Sequence, residues 1–400
     1  MIKITPYFDL PDQKKILATY LNMIADVVPF FPEDVLWDFP KAATMRGNKP
    51  RNRTNKYLKV LSHYFDEKAI ENKEKRTVDA LLAQEIIKHY SIDMHEALYR
   101  GFSGGHVNPE GLRRLLTFSM PFGKPPADID YRNRRSKAQQ PYYKQYSDDM
   151  YDHVFRYEAF SNHPDIYRFV KMLGVEVCPY CNRQYITTVS NDSKPIRPQL
   201  DHFKNKKEYP YFALSINNLI PSCGVCNLLK HNKDKDILYP YQEGVEDRYV
   251  FRTEPRDNRI ALLLSGARMA PQDFEIKLAP GLKPVDRQFE TRIMNSIDIF
   301  AVNDLYQSHK TYVSDMYFQR YIITDELIDA IHKQFQELFP SKEEVKHMLL
   351  MMNTEPEHWK DRPLAKLTHD IKEEIDGLYQ NRVGEDSGID IVDADIDLCK

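Results

Sequence analysis

Residues 197–233 read "RPQLDHFKNKKEYPYFALSINNLIPSCGVCNLLKHNK". One short stretch thus holds an Asp-His pair (Asp201, His202), a double Asn (Asn217, Asn218) and a Cys-x-x-Cys (Cys223, Cys226). A second Cys-x-x-Cys, in "CPYCN", lies just upstream at Cys178 and Cys181. Zinc takes four thiolates in a tetrahedron, commonly from two such close pairs. Here 41 residues separate the pairs, whereas a simple zinc ribbon has about 15–20. The additional length is where the Asp-His pair sits. A zinc ion on Cys178, Cys181, Cys223 and Cys226 would tie the start of this segment to its end and fix what lies between.

Local patterning supplies the elements. "RQYITTV", residues 183–189, is β-branched and aromatic, which predicts a strand. "SNDSKPIRP" reads as a turn, "QLDHF" as a second short strand and "KNKKEYPYFALSIN" as a loop. "CGVCNLLKHNK" suits a helix starting near the second cysteine pair. The expected order is strand, turn, strand, loop, helix.

Within this frame Asp201 is a hard carboxylate suited to Mg²⁺ or Mn²⁺, and His202 is a base titrating near neutrality. Neighbours on a strand point to opposite faces, so both reach one phosphate only where the strand end is irregular. Asn227 and His231 are four apart on the expected helix and share a face. That face presents an amide oxygen and an imidazole to an ion on Asp201. Lys204, Lys206, Lys207 and Lys230 are candidate point charges for flanking phosphates. An Asp-His dipeptide or an i,i+4 Asn/His pair is commonplace alone, and Asn218 alone reads as a turn residue. Their order between two cysteine pairs carries the reading.

That order, "CPYC", then "LDHF", then "NLIPSC" running into "CGVCNLLK", resembles the HNH (ββα-metal) endonucleases, in their four-cysteine zinc branch. The resemblance covers roughly residues 150–240. It implies that His202 is the general base, Asp201 a metal ligand, and Asn218 the residue that holds the loop and orients the histidine, with Asn217 as a second choice. It further implies that Asn227 is a metal ligand and that His231 matches a second helix ligand used by some members. The zinc is then structural, and Mg²⁺ or Mn²⁺ catalytic. More narrowly, the pattern is similar to HNH subunits of bacterial anti-phage systems such as Septu, where an ATPase partner accompanies the nuclease. The expected function is an effector endonuclease that hydrolyses phosphodiester bonds in nucleic acid, DNA ahead of RNA. Two other readings remain: a non-catalytic zinc-stabilised module that binds nucleic acid or protein, and a redox dithiol protein.

Outward from this segment the chain is ordinary in composition. Its 400 residues suggest two to three domains, and 42% hydrophobic with 12% aromatic residues suits a globular core. No apolar run approaches the roughly 20 residues of a membrane span. The opening "MIKITPYFDL" lacks a basic-then-apolar signal, so the expected location is cytoplasmic. In that reducing compartment paired cysteines read first as metal ligands. Cys399 stands apart from both pairs.

The net charge of −3 excludes a simple polycation. Basic residues are nevertheless concentrated: residues 41–60 hold seven Lys or Arg and no acid, and residues 131–146 hold five with four Tyr and no acid. Arg51, Arg53, Arg134 and Arg135 are therefore candidate phosphate contacts, with solvated loops as the plain alternative.

The expected fold class is α+β, a mostly helical chain with an embedded ββα module. Residues 1–150 form a mostly helical region with basic loops, opened by a helix over 13–28 whose apolar face carries Ile16, Tyr20, Ile24 and Val27. Helical patterns return at 56–90 and 94–100. Residues 151–245 form the nuclease module. Residues 246–400 are again mostly helical and end in a tail, 384–400, with six acids against one Lys.

Overall fold

The computed structural model describes residues 1–27, 150–190, 194–206, 212–231, 233, 235–256, 270–350 and 358–385. Arg51, Arg53, Arg134, Arg135, Lys207 and Cys399 lie outside the described residues, as do the patterns at 56–90 and 94–100 and the tail beyond 385. The fold is mixed α+β, with two small antiparallel sheets of two strands each among the described residues. The chain divides into two compact units, residues 1–244 and 245–400. No described helix is long and apolar enough to cross a membrane.

In the first unit, α1 (Gln13–Val27) packs on α2 (Tyr157–Ser161) and α3 (Ile166–Met172). Ile16, Tyr20, Ile24 and Val27 are all buried, as the helical spacing predicts. Tyr20 meets Phe160 edge-on at 5.6 Å and Phe169 at 5.3 Å, so an aromatic cluster holds the three helices together. The chain start is pinned as well: Ile2 N–H donates to Pro179 O and Ile4 N–H to Pro240 O.

Strands β1 (Gln199–His202) and β2 (Leu219–Ser222) pair antiparallel, with Asp201 opposite Ile220 and His202 opposite Leu219. Helix α4 (Gly224–Lys230) follows at once. The order is therefore ββα, but its first strand is not the expected one. Residues 183–189 form only isolated bridges, Val177 with Tyr185 and Val189 with Ile196. The reason lies at the cysteine loop, where Asn182 takes a left-handed φ of 51° and Arg183 N–H turns to the Cys181 sulfur. The second strand is instead "LIPS", where Pro221 argues against a strand by sequence. A two-stranded sheet leaves each strand an open edge, and a residue without an N–H is tolerated there.

The second unit is built on a hairpin that composition does not announce, β3 (Tyr249–Pro255) with β4 (Phe274–Pro280). Its inward residues alternate: Tyr249, Phe251 and Thr253 on one strand, Phe274, Ile276 and Leu278 on the other. Helices α5 (Arg287–Ile299), α6 (Val302–Tyr306), α7 (Lys310–Ile322), α8 (Asp325–Gln334), α9 (Lys342–Leu350) and α10 (Ala365–Glu385) follow. Side chains seal both outer edges of the hairpin. Asp370 and Glu374 of α10 accept from the N–H groups of Phe251 and Thr253, and Asn303 and Gln307 accept from Leu278 and Ile276. The i,i+4 rise of a helix, about 6 Å, nearly matches the i,i+2 rise of a strand, so such pairs stand in for a third strand.

Candidate metal centre and basic cleft

The four cysteines form one cluster. Cys178, Cys181, Cys223 and Cys226 are buried, and their sulfurs all lie within 4.8 Å of one another. A Zn–S bond of about 2.3 Å in a tetrahedron sets sulfurs roughly 3.8 Å apart, and Cys181 and Cys223 stand at 3.9 Å. That separation is far beyond a disulfide. Backbone N–H groups converge on the sulfurs: Arg183 on Cys181, Cys223 on Cys178 and Cys226 on Cys223, each at 3.4 Å. The last of these makes Cys223 the N-cap of α4. Burial pushes the Cys178 thiol well above its ordinary value, and a bound dication is what reverses that preference. The cluster is able to bind zinc.

Beside it opens a cleft of about 510 Å³ lined by Tyr157, Arg197, Gln199, Asp201, His202, Asn205, Lys206, Asn227 and His231, among others. Asp201 and His202 both reach it because His202 ends β1 and the chain bends immediately afterwards. The structure thus brings Asp201, His202, Lys206, Asn227 and His231 to one place.

His202 is buried against Tyr157, ring to ring at 4.3 Å, with Nε2 3.0 Å from Ala213 O. A carbonyl only accepts, so Nε2 carries the proton and Nδ1 is the basic nitrogen. Burial first, and the Lys206 charge second, lower its pKa to about 3. The imidazole is neutral at physiological pH.

Asn218 holds this arrangement from below. Its Oδ1 accepts from Lys204 N–H at 2.7 Å, and its Nδ2 donates to Lys204 O and Phe212 O at 3.1 Å each. It therefore pins the residue two beyond His202 and the residue next to Ala213. Asn217 is buried too, but there Tyr239 OH donates to its backbone carbonyl.

Asp201, 4% exposed, receives Tyr180 OH on Oδ2 at 2.7 Å and Lys230 Nζ at 3.0 Å on Oδ2 and 3.2 Å on Oδ1. Burial, then the Asp201 charge, raises the Tyr180 phenol well above its ordinary pKa, so it remains a donor. Lys230 also donates to His202 O at 2.6 Å. Its ammonium is directed inward, not presented to a phosphate. Lys204 lies off the cleft, with Nζ 5.8 Å over the Phe203 ring.

Asn227 is half-buried and donates Nδ2–H to Gln199 Oε1 at 2.6 Å, which leaves Oδ1 as its acceptor. His231 is exposed at the end of α4 with a positive φ of 38°, one residue beyond the helix on which the spacing placed it. Sequence reasoning misses several cleft residues, Arg197 and Tyr157 among them. Arg197 is held by Ser161 O and Oγ at 2.9 and 2.8 Å, and Tyr157 forms the aromatic wall. No spacing signal marks Arg197, because it lies in an irregular turn. The chain matches no family model, no curated protein and no solved structure.

Proposed function

We propose that this unit is a metal-dependent endonuclease of the HNH type, acting on nucleic acid. The observation that supports it most is the fixed tautomer of His202: Ala213 holds Nε2–H, so Nδ1 is the base on a residue lining a cleft with Asp201. Its task is to take a proton from an attacking water. Lys206 and Arg197 supply positive charge where a phosphate would enter. Asp201, Asn227 and His231 would hold Mg²⁺ or Mn²⁺. Three contacts occupy the Asp201 carboxylate, which offers about four lone-pair sites, so room for an ion remains. That ion, when bound, stabilises charge on the phosphate and the leaving oxygen. The four-cysteine zinc holds the scaffold, and the finer assignment is an anti-phage effector working with an ATPase partner.

A second reading, a non-catalytic zinc-stabilised binding module, draws on the Lys230–Asp201 ion pair, which already neutralises the carboxylate. Incubation of the purified chain with plasmid, single-stranded DNA and tRNA, with Mg²⁺ or with EDTA, separates the two. Mg²⁺-dependent cleavage that falls about 10²-fold or more in His202→Ala is expected. Binding without cleavage, with or without the ATPase partner, would leave the second reading.

A further inference from the structure

Two donors grip Asp201, one from each arm of the cysteine clip. Tyr180 stands between Cys178 and Cys181, and Lys230 stands four residues beyond Cys226 on α4. Both are buried, at 1% and 2% exposure. Zinc would join the arms, so the relative position of the two donors is set by the clip.

Their contacts are uneven. Oδ2 takes the Tyr180 hydroxyl at 2.7 Å and the nearer approach of Lys230 at 3.0 Å, while Oδ1 takes Lys230 alone of the two, at 3.2 Å. Oδ2 thus carries two donors and Oδ1 one, so Oδ1 keeps the larger share of free lone-pair capacity, and the short phenol bond fixes the rotation of the carboxylate. Without the phenol, Lys230 alone of the two donors holds the carboxylate, which is then free to rotate about the ammonium.

We infer that the four-cysteine clip orients Asp201 through Tyr180, and that Tyr180 is a positioning residue for the divalent ion. This rests on the nuclease reading, in which Asp201 holds that ion. The clip then does more than hold the fold together: it sets the affinity of the neighbouring site.

The test is Tyr180→Phe in the full, zinc-loaded chain, an exchange that keeps the ring and removes one hydroxyl. Zinc content by elemental analysis and Mn²⁺ affinity by titration are measured, with Asp201→Asn as the control for loss of binding. The expected result is unchanged zinc and Mn²⁺ binding weaker by about tenfold, the worth of one hydrogen bond to a charged group. The half-saturating Mn²⁺ for cleavage should rise in step, and excess Mn²⁺ should restore the rate. Wild-type Mn²⁺ affinity in Tyr180→Phe overturns the inference alone. Loss of zinc in that variant also overturns it, because Tyr180 would then serve the clip itself. A wild-type chain that binds no Mn²⁺ removes the nuclease reading and this inference together.

Discussion

Nε2 of His202 lies 3.0 Å from the carbonyl oxygen of Ala213, and the residue is largely buried at the wall of the cleft. Burial first, and the Lys206 charge second, keep the imidazole neutral by lowering its pKa to about 3 against an ordinary 6.5, while the bond to Ala213 O acts the other way and persists in the charged ring. Between those values the unfolded chain binds the proton and the folded chain does not. The stabilisation is therefore complete above about pH 6.5 and is lost as pH falls toward 3. Acidification to pH 5 should cost about 2 kcal/mol from this group. Denaturant unfolding at pH 7 and pH 5 checks it: His202→Gln, which does not titrate, should lose correspondingly less than wild type. Equal losses in the two proteins would remove the buried-histidine account.

Asn218 makes three hydrogen bonds that tie Lys204 to Phe212. Asn218→Ala leaves those backbone groups without their partner, at a cost of about 2–4 kcal/mol. The loop carrying Ala213 should loosen with it. Zinc content should be unchanged, while any cleavage falls nearly as far as in His202→Ala. A variant that melts early yet cleaves at the wild-type rate would show that the loop does not orient His202.

In the second unit, Asp370 accepts from Phe251 N–H at 2.8 Å and pairs with Lys366, which is fully buried beside Trp359. Asp370→Ala strips both the strand N–H and the ammonium of their acceptor. Breaking a buried pair from one side costs about 3–5 kcal/mol. Lys366→Met should cost less, because Asp370 keeps its bond to Phe251 and burial already raises its pKa toward the neutral form. Unfolding free energies of the two variants give the order. A larger loss in Lys366→Met would mean that the lysine, not the strand edge, is the contact that matters.

The cysteine pairs and the apolar face of α1 are legible in the sequence, since each is a local pattern, a spacing and a period. The place of the helix at Cys223 is legible too, but not its sulfur cap. The strands are less so. Residues 183–189 have strand composition, but the left-handed Asn182 and the sulfur-directed N–H of Arg183 leave them only bridges. "LIPS" carries a proline and still pairs, because β1 needs one partner only. The β3–β4 hairpin has a local signal, the apolar–polar alternation of "FEIKLAP" at 274–280, which the mostly helical expectation for 246–400 leaves out; what no local pattern carries is the closure of its edges by carboxylates and amides 25–121 residues away. In the cleft, residue types point to Asp201, His202 and Asn227, and the resemblance alone singles out Asn218 beside it, but neither points to the inward turn of Lys230. Nor do they reveal Tyr180 on Asp201 or Arg197 on Ser161, which are contacts made only when distant segments meet.

The cysteine cluster itself gives the last prediction. Four buried sulfurs within 4.8 Å of one another should retain about one zinc per chain through dialysis, because a closed thiolate site binds tightly. Cys223→Ser removes a zinc ligand but spares the N-cap of α4, because a serine hydroxyl accepts from Cys226 N–H as Sγ does. The variant should therefore lose zinc and melt much earlier, and the early melting reports loss of the metal and not of the cap. His202→Ala removes no sulfur and should keep its zinc. Elemental analysis with thermal melts of both variants decides the matter: a zinc-free wild type that melts no later than Cys223→Ser would show that the four thiols hold the fold by packing alone.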